Sequence, residues 1–249
     1  KDGELQDTFQ SFISKDKYSR WIDHLGRRET WEETVTRYCD YMQARMDSQY
    51  PEVYNKTFWK KAHKAILNLE VMPSMRALMM AGPGLDANEM SAYNCSFIAF
   101  DDVRAFDELM FVLSSGTGAG FSVEQSHVSQ LPTIANELAR TSDVVIVEDS
   151  REGWSSAYRE FIAALYEGRI PSLDITRVRP AGARLKTTGG TASGPQPFVD
   201  LVDFTISIFR GAVGRKLKPL EVHDIACKIG EVIVSGGVRR SALISLSDL

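Results

Sequence analysis

Two hydrophobic periods divide this 249-residue chain. In residues 1–70 apolar positions recur every three or four residues. Trp31, Val35, Tyr38, Met42 and Met46 fall on one face of a helix. Thr30-Trp31-Glu32-Glu33 has the form of a capping box, in which the Thr30 hydroxyl accepts an amide of the first turn and Glu33 reaches back. Tyr50-Pro51 closes that helix, because proline disfavours α geometry in the residue before it. A second helix is predicted from about Thr57, with Phe58, Ala62, Ile66 and Leu69 on one side, ending before Pro73.

Beyond Val71–Pro73 short apolar runs alternate with helical spacing. Ser96–Phe100, Gly120–Val123, Val144–Val147 and Ala242–Leu246 read as strands. Ala105–Ser114 carries Phe106, Leu109, Met110 and Leu113 at helical spacing. Trp154, Tyr158, Phe161, Ile162 and Leu165 form another such face, stopped at Gly168 and Pro171. Val202–Val213 and Val222–Val234 complete the predicted helices. This alternation points to an α/β domain with parallel strands. The expected organisation is a helical region over 1–70 and an α/β region over 71–249.

Composition narrows the function classes. Hydrophobic residues make up 43% and charged residues 25%, ordinary values for a globular chain. A formal net charge of -4 argues against a mainly electrostatic nucleic-acid binder. No apolar run approaches the roughly 18 residues of a membrane span. Three cysteines, Cys39, Cys95 and Cys227, are too widely spaced for paired metal or redox motifs, and their odd number disfavours a disulfide scaffold. The expected compartment is the reducing cytoplasm, a host's cytoplasm if the gene is phage-borne. Cys39 and Cys227, both inside predicted helices, are expected to be buried. The four histidines, 24, 63, 127 and 223, show no ligand spacing, so no metal site is expected.

Candidate chemistry gathers around Cys95, which opens the run Tyr93-Asn94-Cys95-Ser96-Phe97. Gly116-Thr117-Gly118-Ala119-Gly120-Phe121-Ser122 follows it. Two further glycine clusters lie at Gly189-Gly190-Thr191-Ala192-Ser193-Gly194 and Ser235-Gly236-Gly237-Val238-Arg239-Arg240. None has the spacing of a dinucleotide fingerprint or a phosphate-binding loop with its lysine. They fit two readings. One is turns that need positive φ. The other is backbone amides approaching a nucleotide, with Arg184, Lys186, Arg239 and Arg240 supplying charge.

Six segments resemble, in order, the large catalytic subunit of ribonucleotide reductases, specifically the adenosylcobalamin-dependent class II. They are Pro73-Ser74-Met75-Arg76-Ala77-Leu78-Met79, Tyr93-Asn94-Cys95-Ser96, the Gly116–Ser122 run, Arg179-Pro180-Ala181-Gly182-Ala183-Arg184-Leu185-Lys186, Gly189–Pro195, and Gly237-Val238-Arg239-Arg240-Ser241-Ala242. Tyr18-Ser19-Arg20-Trp21 and Gly26–Glu33 resemble the monomeric ribonucleoside-triphosphate reductase branch, including phage-like members. The resemblance implies a helical region followed by the first half of a ten-stranded α/β barrel, incomplete in this chain. It implies that Cys95 is one of the two cysteines that reduce the ribose and become a disulfide. Ser74, Asn94 and Ser96 fall where the family lines its substrate pocket. Asp102 matches an acidic position used towards the specificity effector, a deoxynucleoside triphosphate or ATP. The stretch Val234 to Leu243, with Ser235, Gly236, Gly237, Val238, Arg239 and Arg240, matches the loop that relays effector identity.

In dimeric members the strand after the Gly-Phe-Ser run leads almost directly into the Arg-Pro segment. Here 127–176 intervenes, as in the monomeric branch, where an insertion imitates a neighbouring subunit at the effector site. The family's radical cysteine, its second redox cysteine and the cobalamin contacts are expected mainly beyond this stretch, so the fragment should be inactive alone. The implied activity is radical reduction of ribonucleoside triphosphates, with adenosylcobalamin as cofactor and a thioredoxin-like reductant. Three alternatives stay open. One is a class I large subunit with a separate radical partner. Another is a noncatalytic nucleotide-binding half of a split enzyme, paired with a second chain. The third, a generic thiol oxidoreductase, needs a nearby resolving cysteine, and none is present.

Overall fold

A computed structural model describes residues 5, 7–53, 56–183, 192–233 and 242–248. The chain divides into two compact units, Lys1–Asn94 and Cys95–Leu249. Residues 71–94, expected with the α/β region, instead pack into the helical unit.

The helical unit is built on α2 (Trp31–Gln49), with α1 (Thr8–Ile13), α3 (Lys56–Leu67), α4 (Met75–Met80) and α5 (Pro83–Ala87). A two-residue antiparallel pair, β1 (Trp21–Ile22) and β2 (Arg27–Arg28), precedes α2. The predicted capping box is present: Thr30 Oγ1 accepts the Glu33 N–H at 3.2 Å and Glu33 Oε2 accepts the Thr30 N–H at 2.7 Å. Trp31, Val35, Cys39, Ile66 and Leu78 form the buried cluster, and the Trp31 indole donates to the Leu67 carbonyl at 3.0 Å. Met46, placed on the apolar face by its spacing, is 39% exposed, because the buried side of α2 runs through Thr34, Val35 and Cys39.

One ion pair explains why residues beyond 71 stay with this unit. Arg37 grips Glu29 through Nε at 2.7 Å and Nη2 at 2.9 Å. Arg37 also donates to the Leu78 and Ala81 carbonyls at 3.1 and 3.0 Å, which ties α2 to the α4 segment. Burial works against the Glu29 charge, yet the Arg37 guanidinium, the Arg20 amide and the Thr34 hydroxyl hold its carboxyl below the usual range. Removing either partner would strand a buried charge, a loss of about 3 kcal/mol or more.

The α/β unit contains three parallel strands in the order β3 (Cys95–Ala99), β4 (Gly118–Ser122), β7 (Leu243–Leu246). A second parallel pair joins β5 (Ala139–Ile146) to β6 (Arg169–Asp174). The helices are α6 (Ala105–Ser114), α7 (Gln125–Val128), α8 (Arg151–Tyr166), α9 (Gln196–Gly211) and α10 (Pro219–Ile233). One face of the three-stranded sheet is buried through Ile98, Ala119 and Phe121. Phe100 packs edge-on against Phe106 of α6 and against Phe121, with centroids 4.9 and 5.9 Å apart. Burying each such ring contributes about 2 kcal/mol. Against α8 lies a second aromatic group, in which Phe198 meets Trp154 and Tyr158, and the Tyr158 hydroxyl pairs with Thr205 at 3.0 Å.

Strand β6 has no counterpart among the predicted elements, because Pro171 lies inside it. The ladder passes from Arg140–Ile170 to Val144–Ser172, so Pro171 falls at the register shift, where no regular ladder hydrogen bond is required of it. Among the described residues no helix is long and apolar enough to cross a membrane.

Candidate functional site

Strand β3 brings Cys95 to the head of the sheet, where its thiol is exposed and unpaired in any disulfide. Its Cα partner on β4 is Gly118, and two residues on Phe97 stands opposite Gly120, which in turn pairs with Ile244 of β7. Side chains alternate across a strand, so Cys95, Phe97, Gly118, Gly120 and Ile244 share one face. That face is open: Phe97 is 61% and Ile244 68% exposed. A Cβ on Gly120 would meet only the Ser96 carbonyl at 3.8 Å and the Phe97 ring at 3.9 Å, ordinary contacts. Nothing among the described residues requires glycine there. The two glycines leave bare backbone beside the thiol, where another molecule can lie against the sheet.

Ser96 turns the other way. Its hydroxyl donates to the Gly118 carbonyl at 3.1 Å, on the helix-packed side of the sheet, so the hydroxyl does not share a face with the Cys95 thiol. Ser74 and Asn94 belong to the helical unit and both are exposed. Ser74 precedes α4, and its hydroxyl donates to the Ala92 carbonyl at 3.3 Å, which ties it to the segment ending at Asn94. Asn94 is joined directly to Cys95 along the chain.

Asp102 sits in the turn between β3 and α6. Its carboxylate accepts the Arg104 N–H at 2.7 Å and its carbonyl accepts the Ala105 N–H at 3.0 Å, which fixes the turn into the helix. Ser235, Gly236, Gly237, Val238, Arg239 and Arg240 lie outside the described residues, as do Arg184, Lys186, Gly189 and Gly190. On either side of 184–191 the chain is tied together: the Gly182 N–H donates to the Ala192 carbonyl at 2.9 Å, and the Ala192 N–H to the Ala183 carbonyl at 2.8 Å.

The three cysteines differ in surroundings. Cys39 is buried as expected, and burial with nearby Asp40 pushes its thiol up to about 11. Cys227, expected buried, is exposed. The buried stripe of α10 runs through Val222, Ile225, Ala226 and Ile229. Cys227 falls beside it, 3.6 Å from His223 Nε2, and partial burial with Asp224 raises its thiol. His63 is half-buried and pairs with the Thr36 hydroxyl at 3.0 Å. Among the described residues no group of three or more His, Cys, Asp or Glu side chains is placed to hold a metal ion.

One feature of this region escapes the sequence pattern. Asp107, within the apolar run of α6, is only 2% exposed and is bound by two guanidinium groups, Arg104 and Arg159. An acidic residue on the buried side of an otherwise apolar helix, with arginine three positions earlier, is the signal that could have marked it.

A parallel α/β sheet with a free thiol at the head of its first strand defines a candidate redox site on a mixed α/β fold. Comparison with known proteins makes this specific. A family model described as "Ribonucleotide reductase alpha domain" matches residues 2–83, and one described as "B12-dependent ribonucleotide reductase, insertion domain" matches 122–208, enclosing 127–176. The adenosylcobalamin-dependent ribonucleoside-triphosphate reductase of Lacticaseibacillus paracasei is 30% identical, covering 94% of this chain and 40% of that protein. The reductase of the same name from Lactobacillus leichmannii is 28% identical with the same coverage. A crystal structure of a B12-dependent (class II) ribonucleotide reductase superposes with a TM-score of 0.78 at 24% identity, covering 95% of this chain and 41% of the other, a likeness of fold. The chain belongs to the ribonucleotide reductase family. Within it, the likenesses fall on the B12-dependent, class II branch. The chain spans 40% of the length of the curated relatives it matches.

Proposed function

We propose that this chain supplies the first half of a ten-stranded catalytic barrel in an adenosylcobalamin-dependent ribonucleoside-triphosphate reductase. The observation that carries this reading is the exposed Cys95 thiol beside bare Gly118 and Gly120 on the open sheet face. A ribose laid on that face has its 2'-carbon within reach of sulfur without a side chain in between. Ser74 and Asn94 are retained as substrate contacts on the resemblance of their motifs alone. Ser96 serves the site indirectly: its hydroxyl holds β3 to β4 at Gly118, directly beside the thiol.

The overall reaction balances as a ribonucleoside triphosphate plus two thiols giving a 2'-deoxyribonucleoside triphosphate, water and one disulfide. Cys95 supplies one of the two thiols. Its S–H proton goes to the departing 2'-hydroxyl, which leaves as water, and its sulfur then bonds to the second cysteine. That cysteine is expected outside this chain. Restoring the dithiol takes two electrons from a thioredoxin-like reductant by thiol–disulfide exchange. Adenosylcobalamin, when bound, supplies the radical that opens the ribose to this chemistry. The residues present fit such an enzyme to this extent: the thiol is free, and it faces an open surface that also carries the exposed apolar side chains of Phe97 and Ile244. The corrin contacts themselves are assigned to none of these residues.

Asp102, with 235–240, forms the effector site in this reading, and the residues around 127–176 support it in place of a second subunit. The insertion-domain match over 122–208 favours cobalamin over a separate radical-bearing partner. In the full-length enzyme, Cys95→Ser should abolish repeated turnover with a dithiol reductant while leaving nucleotide binding intact. Unchanged turnover would overturn the assignment.

A further inference from the structure

Asp107 is the only buried charged side chain of the α/β unit among the described residues. Its partners come from both sides. Arg104, at the start of α6, donates from Nε to Oδ1 at 3.0 Å, and Arg159, on α8, reaches Oδ2 through Nε at 3.0 Å and Nη2 at 2.9 Å. The Ser155 hydroxyl of α8 donates to the Asp107 carbonyl at 2.8 Å, so α8 holds this residue through main chain and side chain together. Arg104 in turn gives its own N–H to the Asp102 carboxylate at 2.7 Å. An unbroken line of hydrogen bonds therefore runs from Asp102 through Arg104 and Asp107 to Arg159.

The geometry points to Asp107 as a positioning residue for the nucleotide effector, one that fixes the Asp102 turn to the insertion helix α8. This rests on the reading of Asp102 as an effector contact. A carboxylate this buried is costly to leave without its guanidinium partners. Arg104 and Arg159 are each about half exposed and gain their orientation from it. A shift of α8 removes Arg159 from Asp107 and leaves Arg104 to compensate. Arg104 binds Asp107 through its side chain and Asp102 through its backbone N–H, so the pull of Asp107 on its guanidinium bears on the residue that closes the turn. An effector seated on that turn therefore senses where α8 lies, and coupling is carried by one carboxylate with two arrangements of partners.

The test uses the full-length enzyme, with the dissociation constants of dATP and dGTP measured by equilibrium binding for Asp102→Asn, Asp107→Asn and Arg159→Met. Arg159→Met keeps the buried carboxylate paired to Arg104 and serves if Asp107→Asn folds poorly. The expected result is that both Asp107→Asn and Arg159→Met raise the effector dissociation constant about ten-fold, with stimulation recovered at saturating effector and Arg159→Lys restoring part of the loss. A lowered melting temperature with unchanged effector binding in both variants would reduce Asp107 to a structural staple and overturn the inference, even where Asp102→Asn weakens binding. No effect of Asp102→Asn would instead overturn the reading of the effector site itself.

Discussion

Cys95 and Gly118 are Cα partners at the heads of two parallel strands, and only the first of them carries a side chain. The thiol therefore stands beside bare backbone instead of against a neighbour. In a packed sheet, that arrangement wastes apolar contact. It is accounted for when the space is meant for another molecule.

Gly120 tests this directly. Its added methyl would meet atoms no closer than 3.8 Å, so the fold accommodates Gly120→Ala, and loss of glycine from a strand even favours the folded state by about 0.5 kcal/mol. The same methyl would stand on the face that bears Cys95. In the full-length enzyme, kcat/KM should fall about ten-fold or more while the melting temperature holds or rises. An active Gly120→Ala enzyme would show that nothing approaches the sheet there.

The thiols should sort by environment under alkylation. Cys95 and Cys227 are exposed and should label in the native protein; Cys39 should label only on unfolding. Burial and Asp224 hold the Cys227 thiol above its ordinary value, so its labelling should continue to accelerate at pH values above the ordinary thiol range. Mass spectrometry of partly alkylated protein reads all three sites. Rapid native labelling of Cys39 would contradict its place in the core.

Gly168 joins α8 to β6 at φ +84°, and a Cβ there would lie 2.5 Å from the Glu137 carbonyl oxygen. The approach is held by the Ala139 N–H, which donates to the Gly168 carbonyl at 3.0 Å. Gly168→Ala thus meets an unfavourable backbone and a main-chain clash at once. Urea unfolding should show a loss of about 1–3 kcal/mol, whereas Gly182→Ala, also at positive φ but with nothing among the described residues within 4 Å of the added Cβ, should lose less.

The strand–helix alternation around Cys95 is legible in the sequence because each element there is amphipathic in its own right. The apolar spacing of Ala105–Ser114 alone marks a helix there, and α6 has the same ends. The strand at 169–174 was not legible, since a proline inside a short run argues against pairing until the register shift opposite it is known. Cys227 is exposed where its spacing predicts burial, because periodicity marks the α10 stripe only to within about one position, and Cys227 follows buried Ala226 directly. Cys95 itself stands out in sequence only through its neighbours. That Ser96 faces away from it required the strand's direction and pairing, and the Asp107 network needed a partner 52 positions distant.

The capping box of α2 should make the helical unit acid-sensitive. The Arg27 guanidinium and the Thr30 amide hold the Glu33 carboxyl at about 2, against an ordinary value of 4.5. The folded value lies below the unfolded one, so ionised Glu33 stabilises the fold fully above about pH 4.5. That contribution is lost progressively as the pH falls from there through about 2, where the folded carboxyl also takes up its proton. Glu33→Gln keeps an acceptor for the Thr30 N–H but removes the charge facing Arg27 and the positive end of the helix dipole. Thermal melts followed by far-UV circular dichroism should therefore show wild type more stable than Glu33→Gln at neutral pH, with the gap closing between about pH 4.5 and 2. Glu29 is lowered in the same sense, so both proteins still lose stability in acid, and only the difference between them reports on Glu33. A gap that stays constant from neutral pH to about 2 would mean that the Arg27–Glu33 pair contributes nothing to holding the start of α2.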